Sequence, residues 1–162
     1  MILEQLQEAR TAILNSINGL SDEELNKVSA PDSWSIAQVL LHLQQIESYF
    51  LSLIDAALQG PSEQVKEKNL SYITDRSKKV KAPVEPSSEF KTGEELISRL
   101  NHSREKLIAL LNKTNLDLLP EKALSHPVFG KLSVQQTLEF IASHEIRHVE
   151  QIQEIKQTLV VG

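Results

Sequence analysis

Four stretches of this 162-residue chain repeat apolar residues at helical spacing, and three of them open on one device: a hydroxyl residue followed three positions later by Gln or Glu. Ser35-x-x-Gln38, Thr92-x-x-Glu95 and Ser133-x-x-Gln136 match the capping box, in which side chains satisfy amides that the first turn of a helix leaves unpaired. This pattern limits the fold most, because it sets where helices begin and which face each buries. Helix A, over about residues 2 to 18, places Leu3, Leu6, Ile13, Leu14 and Ile17 on one side and stops near Gly19. Ser21 to Glu24 then caps a short turn. Helix B, from Ser35, carries Val39, Leu43, Ile46, Phe50, Leu53 and Ala57 inward and ends at Gly60-Pro61. Helix C turns Leu96, Leu100, Leu107 and Leu111 inward, and helix D runs from Ser133 nearly to the last residue. Only five glycines and six prolines argue against many tight strand turns. The chain reads as all-α, a four-helix bundle forming one domain over residues 1–162.

Connector lengths add topology, since short loops join antiparallel neighbours and a parallel pair needs a long crossover. One connector is long: residues 61–91 hold Lys78, Lys79, Pro83 and Pro86, with a short irregular helix expected around 62–77 and an extended stretch after it. It is expected to join parallel helices B and C. A faint internal repeat supports two related halves. Leu6, Arg10, Ile13, Leu14 and Ile17 align with Leu100, Arg104, Leu107, Ile108 and Leu111 at a constant offset of 94.

Charge and composition exclude several functions. A net charge of −5 offers no basic field for a phosphate backbone, so no nucleic-acid partner is expected. The absence of cysteine removes disulfides, thiolate ligands and a thiol nucleophile. MILEQLQEAR acquires charge at once, and no uncharged apolar run approaches the roughly 18 residues of a membrane span. A cytoplasmic protein with a small-molecule partner and no membrane is the expectation, and a homodimer is the expected assembly.

Chemistry concentrates in Ser-His-Glu-Ile-Arg-His, residues 143–148, which contains the H-E-x-x-H pattern of zinc peptidases. Four residues apart on a helix, His144 and His148 stand about 40° apart on one face and can share an ion. Both flank the apolar stripe of Leu138, Ile141, Val149 and Ile152. His42 borders the buried stripe of helix B in the same way. Three inward imidazoles without partners would waste polar groups, whereas a divalent cation satisfies all three and leaves a position for water or substrate.

Trp34-Ser35 with His42-Leu43, then His126-Pro127-x-x-Gly130, then His144-x-x-x-His148-x-x-Gln151-Ile152 together resemble the DinB/YfiT-like superfamily. The resemblance spans almost the whole chain, from the arginine of helix A through Ala82, Pro83 and Pro86 of the crossover to helix D. It implies a four-helix bundle in up-down-down-up order and a nickel, zinc or similar divalent ion on His42, His144 and His148 together with water. It also implies kinship with thiol S-transferases that use bacillithiol or mycothiol, and with a mycothiol-dependent isomerase.

A peptidase of the H-E-x-x-H class takes its third ligand downstream and lays substrate along an upstream strand. Only 14 residues follow His148, all within the same expected helix and with no G-x-x-H continuation, and nothing earlier reads as a sheet edge. Glu145 falls in the middle of the apolar stripe, where a bare carboxylate is costly. Three roles compete for it: orienting a ligand histidine, acting as a general base, or pairing with Arg10 or Arg104, which also fall on apolar faces. Gln151, one turn past His148, can hydrogen-bond a metal-bound water or substrate, or simply sit half-exposed. His102 falls on a polar face, turn packing explains His126, and Trp34 suits a hydrophobic staple. Tyr49 is a candidate pocket-lining residue, and Lys78, Lys79 and Lys81 a candidate contact for an anionic cofactor.

With no cysteine nucleophile and no Ser/His/Asp grouping, catalysis would be metal-centred: thiol transfer to an electrophile, or hydrolysis. Glu145 and Gln151 are the candidate catalytic residues and His42, His144 and His148 the metal ligands. Zinc or nickel is expected, with manganese, iron or copper also compatible with such a donor set. A non-catalytic metal-binding or stress-response partner is the alternative.

Overall fold

The computed structural model describes residues 1–70, 85–127 and 129–161. Its long helices are α1 (Ile2–Ile17), α3 (Ile36–Gln59), α4 (Gly93–Asn112) and α5 (Val134–Val161), with a single short turn α2 (Asp22–Asn26) between the first two. Each begins within a residue or two of the expected position, and α2 to α5 open on the expected side-chain caps. Ser35 Oγ accepts from the Gln38 amide while Gln38 Oε1 accepts from the Ser35 amide, and Ser21 and Glu24 complete the same reciprocal pair. Thr92 and Ser133 cap the amides of Glu95 and Gln136, but the returning half of each box is diverted. The Glu95 carboxylate goes to Arg99, and the Gln136 amide bonds the backbone of Lys68 in both directions. Gly19, at φ 84°, ends α1 in the left-handed region that a side chain resists.

Helix directions follow from two apolar clusters stacked along the bundle. One gathers Ile2, Leu6 and Ala9 of α1, Phe50 and Ile54 of α3, Leu107 and Leu111 of α4, and Leu138 and Ile141 of α5. The other gathers Ile13 and Ile17, then Ile36 to Leu43, Leu96 and Leu100, and Ile152 and Ile155. Helices α1 and α5 therefore run from the first cluster to the second, and α3 and α4 run back. The order is up-down-down-up, with the long crossover joining the parallel pair α3 and α4.

Two features differ from the sequence expectation. Residues 62–70 form no helix. They lie strapped along the next connector, where the Glu63 amide donates to the Glu121 carbonyl and Lys68 meets Gln136. The rest of the expected helix, like Lys78, Lys79, Lys81, Ala82 and Pro83, falls outside the described residues. Between α4 and α5, a 3-10 turn (Leu116–Glu121) leads into an antiparallel hairpin of β1 (Ala123–His126) and β2 (Gly130–Ser133). The hairpin turns Leu124, His126 and Leu132 inward and delivers Ser133 as the cap of α5.

Candidate metal centre

Midway along the bundle, between the two apolar clusters, four charges meet in the interior. Arg10 (α1), Glu47 (α3), Arg104 (α4) and Glu145 (α5) are 5, 2, 9 and 2% exposed, so nearly all their solvation must come from one another. Arg104 Nε donates to Glu47 Oε2 at 2.6 Å, and its Nη2 reaches both oxygens of Glu145 at 2.7 and 2.8 Å. Arg10 donates to Glu47 Oε1 at 3.2 Å and to Glu145 at 3.3 and 3.4 Å. The Ser103 hydroxyl adds a 2.5 Å bond to Glu47 Oε1. The remaining guanidinium nitrogens are placed reciprocally: Arg10 Nη1 donates to the Leu100 carbonyl at 2.8 Å and Arg104 Nη1 to the Leu6 carbonyl at 2.7 Å. Leu6 and Leu100, like Arg10 and Arg104, are 94 positions apart, so the faint repeat is a physical near-symmetry centred on this quartet. Burial would lower the Arg104 pKa, but the carboxylates of Glu145 and Glu47 more than offset it and raise it. Glu145 is thus held by both candidate arginines, with each of its oxygens accepting from both.

One residue before Glu145 on α5, the other polar cluster begins. His144 Nε2 lies 3.2 Å from His42 Nε2 and 3.2 Å from His148 Nε2, and among the described residues these three form a group able to hold a metal ion. Two adjacent turns of α5 and the first half of α3 supply them. His42 and His148 are buried and His144 is half-buried. Aromatic neighbours fix the rings: Phe140 stacks on His144 with centroids 5.3 Å apart, and Trp34 tilts over His42 at 5.1 Å. Trp34 is itself anchored, its Nε1 donating to Glu85 at 3.0 Å, while Gln38 Nε2 donates to the Pro86 carbonyl. The end of the crossover is thereby pinned beside the cluster. On its far side from the cluster, His148 Nδ1 meets Gln151 Oε1 at 2.6 Å.

Burial sets the protonation of these rings. Desolvation pushes His42 down to about 4. His144 is pushed well below 6.5 by desolvation first, then by any positive charge on His148, His42, Arg147 and His126. Near neutral pH both are uncharged and offer lone pairs, the form a metal requires.

The structure brings together His42, His144 and His148, and sets Glu145 and Gln151 beside them in different ways. Tyr49 instead stays half exposed to solvent, its ring edge-on to Phe50. His102 is exposed on α4. His126 is buried against Phe50, Phe129 and Phe140, with Nδ1 accepting from the Phe129 amide, which is a packing role. Glu47, Ser103 and Phe140 were not singled out in the sequence. Glu47 carried a signal: it lies among buried residues of α3, as Glu145 does on α5, and two inward arginines call for two carboxylates.

An up-down-down-up helical bundle with three histidines converging from α3 and α5 defines a distinct class of proteins. The chain belongs to the DinB superfamily, whose family model matches residues 5–152. It is 37% identical over 155 residues to YuaE of Bacillus subtilis, a match that spans 94% of this chain and 95% of YuaE. A protein of Oceanobacillus iheyensis named "Putative metal-dependent hydrolase" is 24% identical over 150 residues, covering 93% of this chain and 80% of its own. Among solved structures, YfiT of Bacillus subtilis, described as "a probable metal-dependent hydrolase with an unusual four-helix bundle topology", superposes with a TM-score of 0.69 at 14% identity, over 98% of this chain and 85% of YfiT. The four-helix bundle protein TT2238 superposes with a TM-score of 0.65 at 18% identity, over 94 and 96% of the two chains. No helix among the described residues is long and apolar enough to cross a membrane.

Proposed function

We propose that this protein is a metal-dependent hydrolase in which His42, His144 and His148 hold one divalent ion through their Nε2 atoms. The 3.2 Å approach of His144 Nε2 to the Nε2 atoms of both His42 and His148, with one ligand atom of each of the three within 4.8 Å of the others, carries the reading. Two ligand nitrogens about 2.05 Å from a tetrahedral ion stand about 3.3 Å apart, so the two separations from His144 suit edges of such a site. The cluster also fails to satisfy itself. His144 Nε2 carries either one proton or one lone pair and can make one linear N–H···N bond, not two. A donor set of three neutral imidazoles suits zinc or nickel.

Bound there, a divalent ion would supply Lewis-acid chemistry toward an electrophilic group of a small-molecule substrate or toward water. The chain's own residues do the rest. Desolvation keeps His42 and His144 uncharged, and the Phe140 and Trp34 rings hold the imidazoles in place. Glu145, whose oxygens both accept from guanidinium groups, serves to lock α5 into the bundle beside His144 rather than to carry a proton. A cytoplasmic setting and a homodimer remain part of this reading.

Turnover of activated esters, amides and phosphate esters by metal-loaded protein tests the proposal. Activity lost on chelation and in His42→Ala supports it, and activity indifferent to both refutes it. Thiol transfer, the finer alternative implied by the family resemblance, is separated in the same assay by adding a low-molecular-weight thiol: transfer consumes the thiol and hydrolysis does not.

A further inference from the structure

The contact behind His148 assigns a task to Gln151 that goes beyond holding a substrate. The Nε2 atom of His148 faces the other histidines, so its Nδ1 points away from the cluster, and there it meets Gln151 Oε1 at 2.6 Å. A carbonyl oxygen only accepts, so His148 must carry its proton on Nδ1. A neutral imidazole has one ring proton, and placing it on Nδ1 leaves a lone pair on Nε2. Were the amide turned the other way, its NH2 group would donate to Nδ1, the ring proton would move to Nε2, and the face toward the cluster would be blocked.

Gln151 follows His148 by three residues on the same face of α5, so the helix itself holds donor and acceptor one turn apart. A second-sphere partner of this kind fixes the tautomer and orientation of a ligand histidine, and its removal costs tenfold to a hundredfold in metal affinity. In many such sites the partner is a carboxylate, which also raises the basicity of the ring. An amide sets the tautomer without adding a negative charge, and so leaves more of the ion's electrophilicity for a substrate. We infer that Gln151 is a positioning residue that holds His148 as the Nδ1–H tautomer, ready to ligate through Nε2. The inference rests on the metal reading proposed above.

Two measurements test it, one of them independent of any metal. Long-range ¹H–¹⁵N NMR of the metal-free protein under mildly alkaline conditions reads the tautomer of His148. The Nδ1–H form is expected in the wild type, with a shift toward Nε2–H in Gln151→Leu. Zinc titration of both proteins and of Gln151→Glu reads the consequence. The Leu variant should bind roughly 10- to 100-fold more weakly and the Glu variant at least as tightly as wild type, with melting temperatures in chelator unchanged. An Nε2–H tautomer in the wild type, or a Leu variant that binds zinc within twofold of wild type, overturns the assignment. A wild type that binds no zinc, like a His42→Ala control, overturns the metal reading and this inference together, and is told apart because the wild type itself then fails.

Discussion

Two buried polar clusters lie side by side in this bundle, joined by the peptide bond between His144 and Glu145, and they solve the same problem in opposite ways. The quartet of Arg10, Glu47, Arg104 and Glu145 is closed: two positive and two negative charges cancel, and every carboxylate oxygen accepts from a guanidinium group. The histidine cluster is open: His144 Nε2 faces the Nε2 atoms of both His42 and His148 and can make a linear N–H···N bond to one of them at a time. A polar group in a bundle core costs free energy until it finds a partner. Where the chain supplies every partner, the cluster ties helices together; three converging imidazole nitrogens are instead a donor set suited to a cation. Near-symmetry sharpens the contrast. Ser35, Gln38, Leu40, Glu47 and Ile54, the cap and body of α3, correspond to Ser133, Gln136, Leu138, Glu145 and Ile152, the cap and body of α5, at an offset of 98, so the quartet draws one residue of each kind from each half. At the same offset His42 corresponds to Phe140, and His144 and His148 correspond to Ile46 and Phe50. The repeat preserves the tie and breaks at the candidate centre.

The comparison fails first, and most visibly, at Arg104. Arg104→Ala strips a partner from both carboxylates and leaves buried charge uncompensated, so it should cost about 3–5 kcal/mol in urea denaturation. His42→Ala, measured in chelator, should cost well under half of that, because no charge is stranded. Equal losses would mean the two clusters are not different in kind. Ser103→Ala comes next: it removes a 2.5 Å hydrogen bond to a buried carboxylate and should cost about 2 kcal/mol. The independent test is pH. The pKa values of His42 and His126 are pushed from 6.5 down to about 4 by burial, so between those values the unfolded chain binds more protons than the folded one. Stability of the metal-free protein should therefore fall as pH drops from 6.5 toward 4 and be flat above about 7. Denaturation midpoints across that range check the slope. A flat profile would show that these rings are not held neutral.

Helix starts were legible because capping is local: a hydroxyl at Ser35, Thr92 or Ser133 reports on amides within its own first turn. What those boxes do with their second residue was not legible, since Gln136 turns to Lys68, 68 positions away, for reasons of tertiary approach. The hairpin escaped because Ala-Leu-Ser-His and Gly-Lys-Leu-Ser are too short to display an alternating pattern. The helix expected near 62–77 gave way over 62–70 because that backbone is tethered to the hairpin connector instead. In the candidate centre, the i, i+4 pair on α5 and the inward His42 could be read from helical spacing alone. Glu145 could be placed in the core, and Arg10 and Arg104 named as its partners, but choosing between them was a false alternative. The quartet needs both, and needs Glu47, which charge balance among inward residues could have supplied.

The most direct test of the open cluster is metal content. Wild type, His42→Ala and His148→Ala are each dialysed against zinc or nickel, and bound metal is counted per chain. One ion per wild-type chain, lost in both variants while their helical content is retained, is the predicted result. Equal occupancy in all three proteins would contradict the account.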